Sequence, residues 1–217
     1  MPEIIDAKTA ASMVKENDRI MVGGFLAVGA PDNIIDALVE KGTKDLHMIV
    51  ICTDYVDRGN GKLITAKQIK SLQVSHIGTN KNTQQQYTEG TLKIEFNPQG
   101  TISERIRIGG AGIGGFLSPV GLGTILENEK QVIEVDGQKF FLERPIKADF
   151  AFIRAKKADK FGNLIYSKTA RNSNPLMAPA AKITIVEADE IVENGQLDPE
   201  AIVTPGIFID YIVKHKE

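Results

Sequence analysis

The sequence has no tryptophan and a single cysteine, Cys52. One cysteine excludes an internal disulfide. Its place after the apolar run Ile49, Val50 and Ile51 reads as a buried thiol, which fits a reducing, cytoplasmic compartment. Histidine is scarce too: of His47, His76 and His215, none has a Cys, Asp or His partner at metal-ligand spacing. All three read as structural, and no metal is expected. Neither sign of charge dominates, since 26 Lys and Arg against 28 Asp and Glu leave a net charge of −2. With no basic stripe interleaved with aromatics, this argues against nucleic acid or an anionic membrane as partner. No apolar run is long enough to span a bilayer, and the opening MPEIIDAKTA has neither a cationic patch nor an apolar core, so no secretory leader is expected. No linker or shift in composition divides the chain, and residues 1–217 read as one α/β domain able to bury a full core.

What the sequence does hold is one stretch that orders the rest, RIMVGGFLAVGAPDNIIDAL at residues 19–38. Ile20, Met21 and Val22 form a short, wholly apolar run, as in a strand covered on both faces of a parallel sheet. Gly23 and Gly24 break it, Gly29 follows, and Pro31 suits the first turn of a helix because its φ is already set and its missing N–H is not needed there. Ile34, Ile35, Leu38 and Val39 give that helix an apolar face, and Gly42 ends it. Backbone N–H groups and the positive end of a helix would then converge on the loop, which suits an anionic or carbonyl-bearing ligand. The spacing is not that of a Walker loop or a dinucleotide fingerprint, and a tight βα turn without ligand is the alternative.

Residues 6–16 read as a helix with Asp6 as N-cap, and residues 46–51 as a strand that completes a parallel crossover with the glycine unit. Residues 57–61 read as a loop, residues 68–77 contain a strand, and residues 80–90 form a polar helix or lobe. Leu92, Ile94 and Phe96 alternate with Lys93 and Glu95, so one face of that strand is wet. Thr101 and Glu104 have the spacing of a capping box. The helix they open turns Ile102 and Ile106 inward and Arg105 and Arg107 to solvent, and stops at Gly109-Gly110. Asp136-Gly137 between two apolar runs is a hairpin turn, and residues 150–154, 183–186 and 207–213 are later strands.

GAGIGG at residues 110–115 fits G-x-G-x-x-G, but it follows a helix and runs into Ser118-Pro119, so the context for a nucleotide fails. A glycine-dense lobe, mobile or pressed against a neighbouring backbone, is the reading kept. Glu193-Asn194-Gly195 reads as a polar turn. Gln99, between Pro98 and Gly100 at a strand-to-helix turn, could donate to a carbonyl oxygen gaining charge, although a loop glutamine is more often solvated.

Several separated strings resemble the family I CoA-transferases. NDRIMVGGF at residues 17–25 followed by Gly29-Ala30-Pro31 is similar to their first signature, at the place where their alpha subunits carry it, with Glu16 where the pattern has Asp or Asn. NPQGTISERIRIGGAGIGG at residues 97–115 is similar to their alpha-subunit stretch, and residues 157–163, 170–175 and 204–206 continue the likeness. Cys52-Thr53-Asp54-Tyr55 departs from an Asn-rich loop, and Val192 stands where the beta half's Ser-Glu-Asn-Gly motif would have its serine. The resemblance implies an open, largely parallel α/β sheet flanked by helices, as in sugar-phosphate isomerases, with an added β-hairpin. It implies an α2β2 complex whose beta subunit brings the nucleophilic glutamate, with coenzyme A as substrate, a short-chain carboxylate as acceptor and no tightly bound cofactor. Gln99 would be the oxyanion donor, and Gly24, Phe25, Leu26, Ala27, Val28, Gly29 and Ala30 would hold part of CoA. Arg171 would meet a CoA phosphate, cap a helix or bridge subunits. Two other classes are a sugar-phosphate-sensing module on the same scaffold, which needs an effector segment, and a nicotinamide oxidoreductase, which needs its glycines after a strand.

Overall fold

Apolar runs of strand length followed by helices pair in parallel. The computed structural model describes residues 1–216. It runs β1 (Glu3–Ile5), α1 (Ala7–Ser12), β2 (Arg19–Val22), α2 (Asp32–Lys41), β3 (Leu46–Ile49), α3 (Gly61–Thr65), β4 (Ile69–Val74), α4 (Lys81–Thr88), β5 (Lys93–Phe96) and α5 (Gln99–Ala111). There follow β6 (Phe116–Ser118), β7 (Val132–Val135), β8 (Gln138–Glu143), β9 (Ala148–Asp159), β10 (Leu164–Ile165), α6 (Asn174–Met177), β11 (Ala181–Val192) and β12 (Tyr211–Lys214). The main sheet has the order β1-β12-β11-β9-β2-β3-β4-β5, parallel throughout, with β10 antiparallel on β9. From β2 the chain steps outward to β5, and from β9 it steps the other way to β12. The order therefore reverses between β2 and β9, the topological switch point of the sheet.

Strand alternation sorts the core onto two faces. Ile20, Val22, Met48 and Phe152 pack with Ala10, Ile34, Leu38 and Leu63 of α1, α2 and α3. Met21, Ile49, Ala151 and Ile153 pack with Ile102, Ile106 and Met177 of α5 and α6. Among the described residues no helix is long and apolar enough to cross a membrane.

Several local expectations shift. Asp6 caps α1 through Thr9 N–H at 2.7 Å, yet the helix ends at Ser12 because the Lys41 ammonium takes the carbonyls of Ala11, Ser12 and Val14. Pro31 stands just outside α2 as its N-cap, and Gly42 ends the helix at φ 75°. The capping box does not form: α5 opens three residues earlier, behind Pro98, and Glu104 pairs with Arg107. Arg105, expected in solvent, turns inward and is only 11% exposed. Gly109 and Gly110 lie within α5, and Gly112 at φ 71° ends it. They let the helix press on its neighbours, since a Cβ on Gly109 would lie 2.1 Å from the Ile146 carbonyl oxygen and one on Gly110 2.7 Å from Pro179 Cγ. The G-x-G-x-x-G pattern thus begins in a helix, and the nucleotide context is absent.

The hairpin of β7 and β8 turns through Asp136 at φ 51° and Gly137 at φ 74°, and β6 adds a third strand to make a small antiparallel sheet. β9 and β11 are twelve residues each, longer than their apolar runs. Their charged continuations pair across the strands, as Arg154 with Asp189 at 3.0 Å and Lys157 with Glu190 at 2.8 Å. Ile207 falls in a short 3-10 turn, and the last strand starts only at Tyr211.

Candidate functional site

The glycine segment leaves β2 at the carboxyl edge of the sheet, beside the switch point. Phe25 and Val28 exchange backbone hydrogen bonds at 3.1 and 3.0 Å around Leu26 and Ala27, both left-handed at φ 50° and 64°. This is a two-residue turn of the type that glycine or asparagine usually makes, and each non-glycine residue held so costs about 1–2 kcal/mol. The strained turn is held from the loop after β3. Leu26 N–H donates to Cys52 Sγ at 3.2 Å, and Ala27 N–H donates to Asp54 Oδ1 at 2.9 Å. Asp54 is fully buried and also accepts from the Cys52 thiol at 3.1 Å, from Asn60 N–H at 3.1 Å and from Asn60 Nδ2 at 2.9 Å. Burial raises its carboxyl pKa, against the N–H donors of Ala27 and Asn60 that pull it down. Burial and the neighbouring Asp54 push the Cys52 thiol up to about 12, so it stays protonated and serves as donor and acceptor within the clamp.

A second support comes from after β10. Ser173 Oγ accepts Gly24 N–H at 3.3 Å, and Asn174 Nδ2 donates to Gly29 C=O at 3.1 Å while its Oδ1 accepts Arg154 N–H at 3.0 Å. A Cβ on Gly23 would lie 1.8 Å from Asn174 Oδ1, so only glycine fits there. The fold therefore joins residues 23–31 to residues 170–175, two strings far apart in the chain.

The expected anion cradle is not what this loop builds. Among the described residues, every N–H from Gly23 to Ala30 except that of Gly29 already has a protein acceptor. At the start of α2, Ile34 N–H is taken as well, donating to the buried Glu187 Oε2 at 3.0 Å. Burial raises the Glu187 pKa, and His215 closes on its other oxygen at 2.5 Å. What the loop shows to solvent is apolar: Phe25 and Val28 are 40% and 48% exposed, with Tyr55 of the next loop 38% exposed.

Gln99 is the first residue of α5, exposed, and its side chain makes no hydrogen bond to a described residue. It lies on the same carboxyl edge as the glycine loop but three strand spacings away, roughly 14 Å. The two are thus on one rim without touching. Residues 52–55 and 75–78 lie between them, tied by the Cys52–His76 bridge. Arg171 is exposed in a 3-10 turn. Glu193 is exposed, paired with Lys160 at 2.5 Å, and opens the turn completed by Gly195 at φ 82°. His47 is bonded to Ser71 at 2.6 Å.

Sequence reading missed Cys52, Asp54, Asn60, Ser173 and Asn174 as supports of the loop. Each is a polar residue in a loop or at a helix start, the loop it supports lies elsewhere in the chain, and no periodicity marks it. A coenzyme A transferase family model matches residues 4–215. The acetate CoA-transferase subunit alpha of Escherichia coli (strain K12) is 46% identical, covering 99% of this chain and 98% of its own. The acetoacetyl-CoA:acetate/butyrate CoA transferase alpha subunit of Clostridium acetobutylicum is 44% identical, covering 98% and 97%. A solved acyl-CoA transferase from Escherichia coli O157:H7, in a thioester complex with CoA, shares the fold at a TM-score of 0.92 and 20% identity, covering 99% of this chain and 47% of that one. With its glycine segment, its Gln99 turn and nearly its whole length inside that match, the chain belongs to the coenzyme A transferase family.

Proposed function

We propose that this chain is the alpha subunit of a short-chain acyl-CoA:carboxylate CoA-transferase, active when paired with a beta subunit in an α2β2 complex. The observation that carries the reading is the 46% identity to an acetate CoA-transferase alpha subunit along nearly the full length of both chains. In the proposed reaction a glutamate of the beta subunit attacks the acyl-CoA carbonyl, CoA thiolate leaves, and an acyl–glutamyl anhydride remains. The thiolate attacks the glutamyl carbonyl and releases the carboxylate, giving a glutamyl–CoA thioester. The acceptor carboxylate then takes CoA by the reverse steps.

Each step passes through a tetrahedral oxyanion. Gln99, exposed at the start of α5 with its amide free of described partners, is suited to donate to it, and one such donor is worth about 2.7–4 kcal/mol. Residues 24–30 are proposed to meet CoA mainly through the exposed side chains of Phe25 and Val28, since every N–H of the loop but that of Gly29 is already bonded. A rigid, prestrained loop lets binding energy from the CoA tail be used at the reacting carbonyl. Acetate, butyrate and acetoacetate are the carboxylates proposed, in a cytoplasmic setting.

The test is Gln99→Ala in the reconstituted complex. kcat for acyl-CoA:acetate exchange is expected to fall about 10²–10³-fold with KM for the CoA ester little changed. Wild-type turnover would remove Gln99 from the chemistry.

A further inference from the structure

One polar cluster behind the start of α5 has no part in the site as described. The Arg105 guanidinium lies 2.5 Å from both Glu95 Oε1 and Asn97 Oδ1, donates from Nε to the Arg144 carbonyl at 2.8 Å, and faces the Glu143 carboxylate at 3.8 Å. Glu143, on β8, is itself buried and held by Lys130 at 2.5 Å. Two cations and two carboxylates balance, so the group is electrically closed. A nearly buried arginine whose Nε and Nη1 are both bonded to protein acceptors is costly to build and adds little net stability.

Its location gives it a use. α5 has no side-chain N-cap, Pro98 has no N–H, and a Cβ on Gly100 would meet nothing within 4 Å, so the turn bearing Gln99 is not packed from the side. What fixes it is Asn97, buried, whose N–H donates to Val74 C=O at 2.9 Å, whose Nδ2 donates to Glu95 C=O at 3.3 Å and whose Oδ1 takes Arg105. We infer that Arg105 is a positioning residue: it locks Asn97, and through it the direction in which the Gln99 amide leaves the helix start, while Glu143 of the small antiparallel sheet holds the guanidinium in place. The inference rests on Gln99 acting as the oxyanion donor. Arginine is required because one planar fork serves the carboxylate, the amide oxygen and the carbonyl at once, which a lysine point charge does not. An amide misplaced by about 1 Å can lose 10²-fold in rate.

The experiment is a double-mutant cycle in the complex with its beta-type partner. Arg105→Lys is expected to lower kcat about 10–100-fold, with KM for the acyl-CoA changed less than about threefold and partner binding kept. In the Gln99→Ala background the same change should add less than about twofold, because there is no amide left to aim. Losses that multiply in the double variant would overturn the inference and mark Arg105 as a general structural residue, as would wild-type kcat in Arg105→Lys. Wild-type kcat in Gln99→Ala would overturn the Gln99 reading itself, and this one with it. If Arg105→Lys does not fold, Glu143→Gln loosens the same guanidinium from the sheet side and carries the same comparison.

Discussion

Glu95 accepts from Arg105 at 2.5 Å and from Gln73 Nε2 at 2.6 Å, at the edge strand of the sheet. Partial burial raises its pKa, but the hydrogen bonds from Arg105 and Gln73 and the Arg105 charge outweigh it, and the net value lies below the ordinary 4.5. A carboxyl with a depressed native pKa gives stability that is present above its unfolded pKa and is lost as the pH falls through the native one. Glu95→Gln cannot titrate. On going from about pH 5 to pH 3 it should therefore lose less melting temperature than wild type, and thermal unfolding across that range measures the difference. A parallel fall in both proteins would show that Glu95 is not selectively stabilised in the folded state. Arg105 also shows why the site was only partly legible. Its place on α5 puts it on the outward side of the apolar stripe, and the acceptors that draw it in come from β5 and the stretch after β8, which no local pattern reveals. Asp54 is similar: a polar residue in a loop, it proves to be the buried clamp on Leu26 and Ala27 because the neighbouring strand brings it there.

At the scale of elements, α5 combines good helix signals with glycines that ordinarily stop a helix, and by sequence Gly109-Gly110 reads as its end. The structure keeps both glycines helical because the Ile146 carbonyl and Pro179 fill the space a Cβ would take. Alanine is better than glycine in a helix by about 1 kcal/mol, whereas overpacking at such a contact costs about 1–3 kcal/mol. A Cβ 2.1 Å from a backbone oxygen decides the sign: Gly109→Ala should destabilise, read as a lower midpoint in urea unfolding. An unchanged or higher midpoint would mean that α5 can move off Ile146. Elements whose signal is local were legible, namely β2, α2 with Gly42 at its end, and the hairpin at Asp136-Gly137. The full length of β9 and β11 was not, since the later part of each carries charged residues and stays in the sheet through cross-strand pairs that link residues more than thirty positions apart.

At the scale of the whole molecule, the proposed transfer reaction needs an attacking carboxylate, and the side chains can be weighed for it along the carboxyl rim. Phe25, Tyr55 and Gln99 are exposed along it, while Asp54 is buried under four donors and Glu95 is bound to Arg105 and Gln73. An attacking carboxylate must be ionised, accessible and free to form a bond to carbon, and neither of these meets that need. Glu193 is accessible, but it opens a polar turn paired with Lys160 and lacks the preceding serine of the beta-subunit motif. The isolated chain should therefore show no butyryl-CoA:acetate exchange. Adding a beta-type subunit should restore it, and borohydride reduction during turnover should place the trapped glutamyl thioester on that partner, as mass spectrometry of the separated chains would show. A covalent CoA or acyl adduct on a glutamate of this chain would refute the division of labour, because the oxyanion helper and the nucleophile would then be carried by the same subunit.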